Sequence, residues 1–172
     1  MGDVLNYLDE LTDAMTRLGQ QPNTVFIGQG VRYPGHALFK TLEGAPIEKR
    51  IELPVAEDMQ MGMSIGLAMT GKTVIAIYPR MDFLLCAINQ LVNHLDKGLY
   101  QMPGKVLIRT CVGATKPIHP GAQHCGDYIN ALRLLLWNVD VISLEHTDEI
   151  KGAYEIERSA VIVEYGDKYG MA

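Results

Sequence analysis

Residues 50–71 read RIELPVAEDMQMGMSIGLAMTG. The first four residues are typical of a short strand, and a helix-like stretch follows Pro54. Glu57 therefore stands where a strand has ended and a helix begins. Ligands of open α/β sheets bind at the carboxyl ends of the strands, so this carboxylate is a candidate functional group.

Short apolar runs recur along the rest of the chain and predict buried strands. They span residues 24–27, 73–78, 105–109, 139–144 and 160–164. Amphipathic stretches lie between them and predict helices. These stretches are Val4 to Leu18, a segment from about Asp82 (as N-cap) to Leu95, a segment from Asp127, and Thr147 to Arg158. The alternation predicts an α/β fold, a doubly wound, mostly parallel sheet of five to six strands with helices on both faces.

The length of 172 residues and the 48% of hydrophobic residues favour one domain, and we expect a single domain over residues 1–172. The net charge is −5 and the Lys and Arg residues form no cluster, which argues against nucleic-acid binding. Three cysteines cannot form a closed set of disulfides, and no run approaches the roughly 20 apolar residues that span a bilayer. The amino terminus has no signal-peptide pattern, so we expect a cytoplasmic protein that does not bind membranes.

Two predicted loops carry further candidate groups. Gly28-Gln29-Gly30 follows a strand, but Tyr33 stands where a phosphate-binding loop needs its third glycine, so a turn is favoured. The second loop, residues 111–126, contains cysteines and histidines without the paired spacing of a zinc site, and we predict no metal site. His124 of this loop is either a catalytic or a surface histidine, and the residues alone leave both open.

Within residues 50–71, the environment of Glu57 and the role of Gly62 and Gly66 each have two possible interpretations. Glu57 is either a solvated acid at the positive end of a helix dipole, or an inward-pointing carboxyl whose pKa is raised by desolvation. Gly62 and Gly66 allow either close packing within the chain or a subunit interface. The pattern predicts where these residues lie along a helix but not which way they face.

The order of short motifs resembles the pyrimidine-binding domain of thiamine-diphosphate enzymes. It is most similar to the β subunit of 2-oxo acid dehydrogenase E1 components, within the transketolase-like group. The matching residues are spread over most of residues 25–165. They are Pro54-Val55-Ala56-Glu57, Gly62, Ile65-Gly66, Ala68, Gly71, Asp82-Phe83, Ala87, Asn89-Gln90, Val92-Asn93, Lys97, Ile108-Arg109 and Gln123-His124. The resemblance implies the thiamine-diphosphate-binding fold.

The resemblance also implies roles for three residues. Glu57 falls on the glutamate that hydrogen-bonds the pyrimidine N1′ of the cofactor and so helps to activate it, which requires a carboxyl that can share a proton. Phe83 falls on the aromatic residue that stacks on the pyrimidine ring. His124 falls on the active-site histidine, which assists with reaction intermediates.

A partner subunit is implied as well. The sequence lacks the family's diphosphate-binding signature, Gly-Asp-Gly followed further on by Asn-Asn; Gly126-Asp127-Tyr128 and Gly166-Asp167-Lys168 do not match it. The family's C-terminal domain is also expected to be absent. The resemblance therefore implies that a separate diphosphate-binding subunit holds the diphosphate and Mg²⁺, with an α2β2 heterotetramer as the assembly.

The function implied is that of a thiamine-diphosphate-dependent subunit of a transketolase-like or 2-oxo acid decarboxylating enzyme. It would cleave a C–C bond next to a carbonyl, from a 2-oxo acid or a ketose, and transfer the acyl or ketol carbanion. The alternative is a non-catalytic regulatory or interaction subunit that keeps the fold. A flavodoxin-like small-ligand domain would share the sheet without needing a partner.

Overall fold

The sheet has six strands in the order β2-β1-β3-β4-β6-β5, and every adjacent pair is parallel. A computed structural model describes residues 6–98, 102–113, 115–116 and 119–170. The strands are β1 (Thr24–Gly28), β2 (Arg50–Glu52), β3 (Thr73–Tyr78), β4 (Lys105–Val112), β5 (Asp140–Ser143) and β6 (Ala160–Tyr165). The predicted sheet is confirmed, and it is parallel throughout.

The helices cover both faces of this sheet. They are α1 (Tyr7–Gln20), α2 (Ala37–Lys40), α3 (Glu57–Met69), α4 (Met81–Leu84), α5 (Ile129–Leu135) and α6 (Glu149–Glu155), with a π-helical segment at Gln90–Asp96. Side chains alternate along β3, so that Ile75 packs with α1 and α6 on one face while Val74 packs with α3 and α5 on the other. Two apolar cores therefore enclose the sheet, as a doubly wound fold requires.

Several predicted details change. The helix predicted from Asp82 begins at Met81, and its N-cap is Arg80 rather than Asp82. Asp82 instead accepts hydrogen bonds at both carboxylate oxygens from the backbone N–H of Gly126, each 3.2 Å long. The carboxylate therefore holds the 121–126 loop against α4. The predicted helix start at Val4 lies outside the described residues, and the helix predicted over 147–158 is shorter, at Glu149–Glu155.

A crevice opens between β1 and β3, because the chain runs outward from β1 to β2 and then crosses back to β3. The buried Gln60 amide of α3 lies beneath it, donating to the Ile77 carbonyl at 2.9 Å and to the Ile27 carbonyl at 3.5 Å. Gly28 has φ +154°, and a Cβ there would lie 2.4 Å from the Ile77 oxygen. Glycine is therefore required where these two strands approach each other.

A buried ion pair joins β4 to β6. Arg109 and Glu164 have fully buried side chains. Arg109 donates from Nε to Glu164 Oε1 at 2.5 Å and from Nη2 to Oε2 at 2.9 Å. The Tyr154 hydroxyl donates to Glu164 at 2.5 Å, the Tyr169 hydroxyl donates to its other oxygen, and Arg109 donates to Thr41 Oγ1 at 2.7 Å. Every charged atom of the pair thus has partners, which is the condition under which a buried pair is tolerated.

Candidate active site

Glu57 is the first residue of α3, directly beyond the end of β2. Two contacts fix it. The Tyr78 hydroxyl donates to its backbone carbonyl at 3.1 Å, and Gln29 donates from Nε2 to its Oε1 at 3.3 Å. Tyr78 is buried at the end of β3, and Gln29 follows β1, so the carboxylate is held at the edge of the β1–β3 crevice.

The surroundings of Glu57 are open on one side. Its side chain is half-buried, while Val55 and Met59 beside it are 78% and 44% exposed. Apolar neighbours among the described residues therefore do not enclose the carboxylate. Enclosure would require another chain to cover this end of α3.

Phe83 and His124 lie together although they are far apart in sequence. Their rings meet edge to face, with centroids 5.6 Å apart and an angle of 87° between the planes. Phe83 belongs to α4, and His124 ends a short 3₁₀ turn, Ala122–His124. Two contacts hold this turn and the residues after it. Asp82 accepts from the Gly126 N–H, and Arg80 Nη1 donates to the His124 carbonyl at 2.8 Å.

A cleft of about 400 Å³ opens at this edge of the sheet, a size that suits a small ligand. It is lined by Gln29, Gly30, Gly35, His36, Leu38, Pro79, Arg80, Phe83 and Cys111. Glu57 adjoins the cleft through Gln29, and His124 adjoins it through Phe83. Of the three residues singled out from the sequence, Phe83 lines the cleft, and Glu57 and His124 each contact one lining residue, Gln29 and Phe83 respectively.

Two ionisable groups of the cleft are held neutral by burial. His36 Nε2 donates to the Gln29 carbonyl at 2.7 Å, and desolvation lowers the pKa of the imidazole. Burial raises the pKa of the Cys111 thiol to about 12, and the Glu164 carboxylate adds to that shift. Neither group carries charge near pH 7, so the charge of the cleft lining comes from Arg80.

The sequence interpretation passed over three residues that build this site: Gln29, Arg80 and Tyr78. All three lie at or just beyond the carboxyl end of a parallel strand. That position is a usable signal, because such residues meet at one edge of the sheet. The sequence places Gln29 in a glycine-rich turn and predicts no site role for it. The Glu52 carboxylate anchors this segment, because it accepts from the backbone N–H of Gly30 at 2.6 Å and of Arg32 at 2.7 Å.

The described part of the chain contains neither a cluster of metal-ligating side chains nor a membrane-spanning helix. No group of three or more His, Cys, Asp or Glu side chains there is placed to hold a metal ion. None of the described helices is long and apolar enough to cross a membrane.

No protein-family model matches the chain. Curated relatives do. The chain is 34% identical over 134 residues to the pyruvate dehydrogenase E1 component subunit beta of Gracilaria tenuistipitata var. liui, a match that covers 72% of this chain and 40% of that protein. It is 31% identical over 103 residues to the 2-oxoisovalerate dehydrogenase subunit beta of Bacillus subtilis (strain 168), covering 57% of this chain and 31% of that one.

Among solved structures, a split-gene transketolase described as an inactive beta4 tetramer matches with a TM-score of 0.66 at 21% identity, over 91% of this chain and 49% of that one. This match shows the fold. The chain spans 40% of the length of the pyruvate dehydrogenase relative named above and 31% of that of the 2-oxoisovalerate dehydrogenase relative. The sequence matches and the shared fold together confirm the resemblance: the chain is related to the β subunits of 2-oxo acid dehydrogenase E1 components and has the fold of the transketolase-like pyrimidine-binding domain.

Proposed function

We propose that the chain is the pyrimidine-domain subunit of a heteromeric thiamine-diphosphate-dependent enzyme, which cleaves a C–C bond next to the carbonyl of a 2-oxo acid or ketose. One observation carries the proposal: Glu57 opens α3 at the β1–β3 crevice, and Gln29 links it to a cleft that presents the Phe83 ring. When bound, the cofactor supplies the nucleophilic carbon that attacks the substrate carbonyl.

Glu57 is the proposed acceptor and donor of a proton at the cofactor's pyrimidine nitrogen. Its Oε1 accepts from Gln29, which leaves Oε2 for that nitrogen. The Tyr78 hydroxyl on the backbone carbonyl and the Gln60 amide one turn further along α3 keep the carboxylate in place. A carboxyl can share a proton in this position, whereas an amide cannot.

Phe83 is the proposed platform for the pyrimidine ring. It lines the cleft, and the His124 ring supports its side chain. Offset and edge-to-face aromatic contacts contribute roughly 0.5–1.5 kcal/mol beyond area burial. The same contact supports the proposal that the His124 imidazole, next to Phe83, donates a hydrogen bond to an intermediate or accepts one from it.

The exposed face of α3 supports the proposed partner. Met59, Met63 and Met69 of α3 are 44%, 39% and 48% exposed, and Val55, just before the helix, is 78% exposed. This is an unusual amount of apolar surface for one segment. A Cβ on Gly66 would touch nothing within 4 Å, so the described part of this chain does not use that glycine for close packing. At about 100° per residue, Glu57 lies on the opposite side of α3 from Met59, Met63 and Gly66, so a subunit on the methionine face would enclose the carboxylate only if it also extended over the amino end of the helix.

We propose that this second subunit carries the diphosphate and Mg²⁺, since the chain has no Gly-Asp-Gly and Asn-Asn signature. An α2β2 assembly would give each carboxylate a diphosphate-binding neighbour. On this proposal, thiamine diphosphate binds to the assembly and not to the isolated chain.

Native mass spectrometry of the tagged chain, purified from its source with and without thiamine diphosphate and Mg²⁺, tests the proposal. The expected result is a co-purifying subunit with the diphosphate signature, and cofactor retained only by the complex. A chain that assembles but never retains cofactor would support the regulatory alternative. A chain that remains alone and binds no cofactor with any co-expressed candidate subunit would contradict the proposal.

A further inference from the structure

We infer that Arg80 binds an anionic group of the substrate, a carboxylate or a phosphate, at the mouth of the cleft. The inference rests on the proposed function, because it concerns the substrate of that same site. Arg80 is the second residue beyond β3 and lies between Phe83 and the end of β4. Its position at the β1–β3 crevice is the edge of the sheet where ligands bind in this class of fold.

The charge of Arg80 is not compensated by the part of the chain that the structure describes. The buried Arg109 is paired with Glu164, and Arg50 is surrounded by three backbone carbonyls. Arg80 is half-buried, yet it forms a salt bridge with none of the described carboxylates. A half-buried cation beside an open cleft favours an anion as its partner.

Asp167 is one of the carboxylates near this end of β4, and its Oδ1 is engaged by Thr115. Its Oδ1 accepts from the backbone N–H of Thr115 at 2.8 Å and from the Thr115 hydroxyl at 3.1 Å. Arg80 and Asp167 both act on the pKa of Cys111, in opposite directions, so each lies near that thiol without pairing with the other. The positive charge therefore remains available to the cleft.

The guanidinium is also oriented in advance. Nη1 donates to the carbonyls of Gly113 at 3.2 Å and His124 at 2.8 Å, which anchors one corner of the group. Among the described residues, Nε and Nη2 donate no hydrogen bond. An arginine held in this way can offer its remaining donors to a carboxylate or phosphate with little further loss of side-chain entropy.

The two anion sources differ in the substrate that would carry them. A carboxylate would belong to a 2-oxo acid, and a phosphate would belong to a phosphorylated ketose or aldose. Both meet the same guanidinium, so the measurement must compare each anionic substrate with its neutral analogue. The cleft has an apolar wall at Leu38 and Phe83, which leaves Arg80 as the charged recognition element of its lining.

The test uses the chain assembled with its partner subunit, and compares wild type, Arg80→Gln, Arg80→Lys and Arg158→Gln. Arg158→Gln is the matched control, because it removes one positive charge at the opposite edge of the sheet. For each variant, kcat/KM is measured with a sugar phosphate and the free sugar. Because a methyl ester cannot lose CO₂, the carboxylate pair is compared by binding instead, as the inhibition constants of a 2-oxo acid and of its methyl ester against the substrate that the assembly turns over. Inorganic phosphate is added as a competitive probe, and cofactor binding is measured separately.

We expect Arg80→Gln to lower the preference for one anionic substrate over its neutral analogue by about 10-fold or more, the loss of a charge-assisted hydrogen bond. Arg80→Lys should recover part of it, and Arg158→Gln should not change it. The pair whose ratio falls identifies the source, and inhibition by inorganic phosphate that disappears in Arg80→Gln indicates a phosphate.

A merely structural role of Arg80, through the His124 turn, would lower kcat for anionic and neutral substrates equally and leave the ratio unchanged. That result would overturn the inference, as would a wild-type enzyme that prefers neither anion. Failure of the proposed function is distinguishable, since the wild-type assembly would then bind no cofactor and turn over no substrate.

Discussion

Gln29 Nε2 lies 3.3 Å from Glu57 Oε1, so a residue that follows β1 orients the carboxylate that opens α3. If the proposed function is correct, Glu57→Ala should lower kcat by at least about 10²-fold, the low end for lost proton-transfer catalysis. Glu57→Gln should have a similar effect, because the amide keeps the shape but cannot share a proton.

Asp58→Asn is the matched control for Glu57. Asp58 is the exposed neighbour in the same helix turn and contacts only Gln90, at 3.4 Å, among the hydrogen bonds described. The activity of the Asp58→Asn enzyme should stay within about threefold of wild type, since substitutions of exposed residues usually change stability and activity little. Full activity of Glu57→Ala in the assembled enzyme would reject the proposed role.

Phe83→Ala should weaken cofactor binding by the assembled enzyme. The expected loss is roughly 3- to 10-fold in Kd, corresponding to an aromatic contact of about 0.5–1.5 kcal/mol. Phe83→Tyr keeps the ring and should bind the cofactor nearly as well. Isothermal titration with thiamine diphosphate and Mg²⁺ measures both, and equal affinities of all three proteins would show that the ring does not stack on the cofactor.

Glu164→Gln should destabilise the fold strongly, because it leaves the buried Arg109 guanidinium without its counter-charge. Breaking a buried pair in this way costs about 3–5 kcal/mol in free energy of unfolding. Asp140→Asn removes the carboxylate of a surface pair, in which Arg158 is 68% exposed, and should cost less than about 1 kcal/mol. Urea denaturation compares the two, and a similar loss in both would contradict this account of the buried pair.

Cys111 should make stability fall at alkaline pH. Its pKa is raised from about 9 to about 12 in the folded chain, so the folded state holds a proton that the unfolded state releases. The stabilisation is complete below about pH 9 and is lost as pH rises toward 12, by up to about 1.4 kcal/mol per pH unit. Unfolding free energies at pH 8 to 10 should therefore fall more steeply for wild type than for Cys111→Ala.

Cys86→Ala provides the control for that series, because Cys86 is exposed. It should follow the wild-type curve. If Cys111→Ala also follows the wild-type curve, the thiol does not keep its proton in the folded state.

Gly66→Ala separates folding from assembly. A Cβ at this helical position meets nothing within 4 Å, so the isolated chain should gain up to about 1 kcal/mol of stability. Gly66→Leu should weaken association with the partner, if this face is the interface. Gly104→Ala is the contrasting change and should destabilise the chain, since its Cβ would lie 2.1 Å from the Lys72 carbonyl.

The sheet was predictable because runs such as residues 73–78 and 160–164 are apolar on both faces, which only a covered parallel strand requires. The position of Glu57 was predictable for a similar reason, since it follows a strand and opens a helix. The Asp82 contact with Gly126 was not predictable. It joins two segments by a tertiary hydrogen bond, which competes with the local N-cap role that the sequence favours.

The contact between Phe83 and His124 was likewise beyond the local pattern. The resemblance to a family implied that both belong to one site, but nothing in their spacing indicates a 5.6 Å ring contact. The roles of Glu57, Phe83 and His124 stay predictions. The orientation of Gly66 was not predictable either, because the sequence of a helix does not show whether a glycine faces a neighbouring element or solvent.

The Gln60 amide links the placement of Glu57 to the pairing of the two central strands. Its carbonyl partners belong to two different strands, at Ile27 and Ile77, so both bonds exist only after β1 and β3 have paired. Glu57 lies one turn before Gln60 on the same helix. A chain in which β1 and β3 are not paired therefore lacks both Gln60 bonds, and the start of α3 that carries Glu57 loses that anchor.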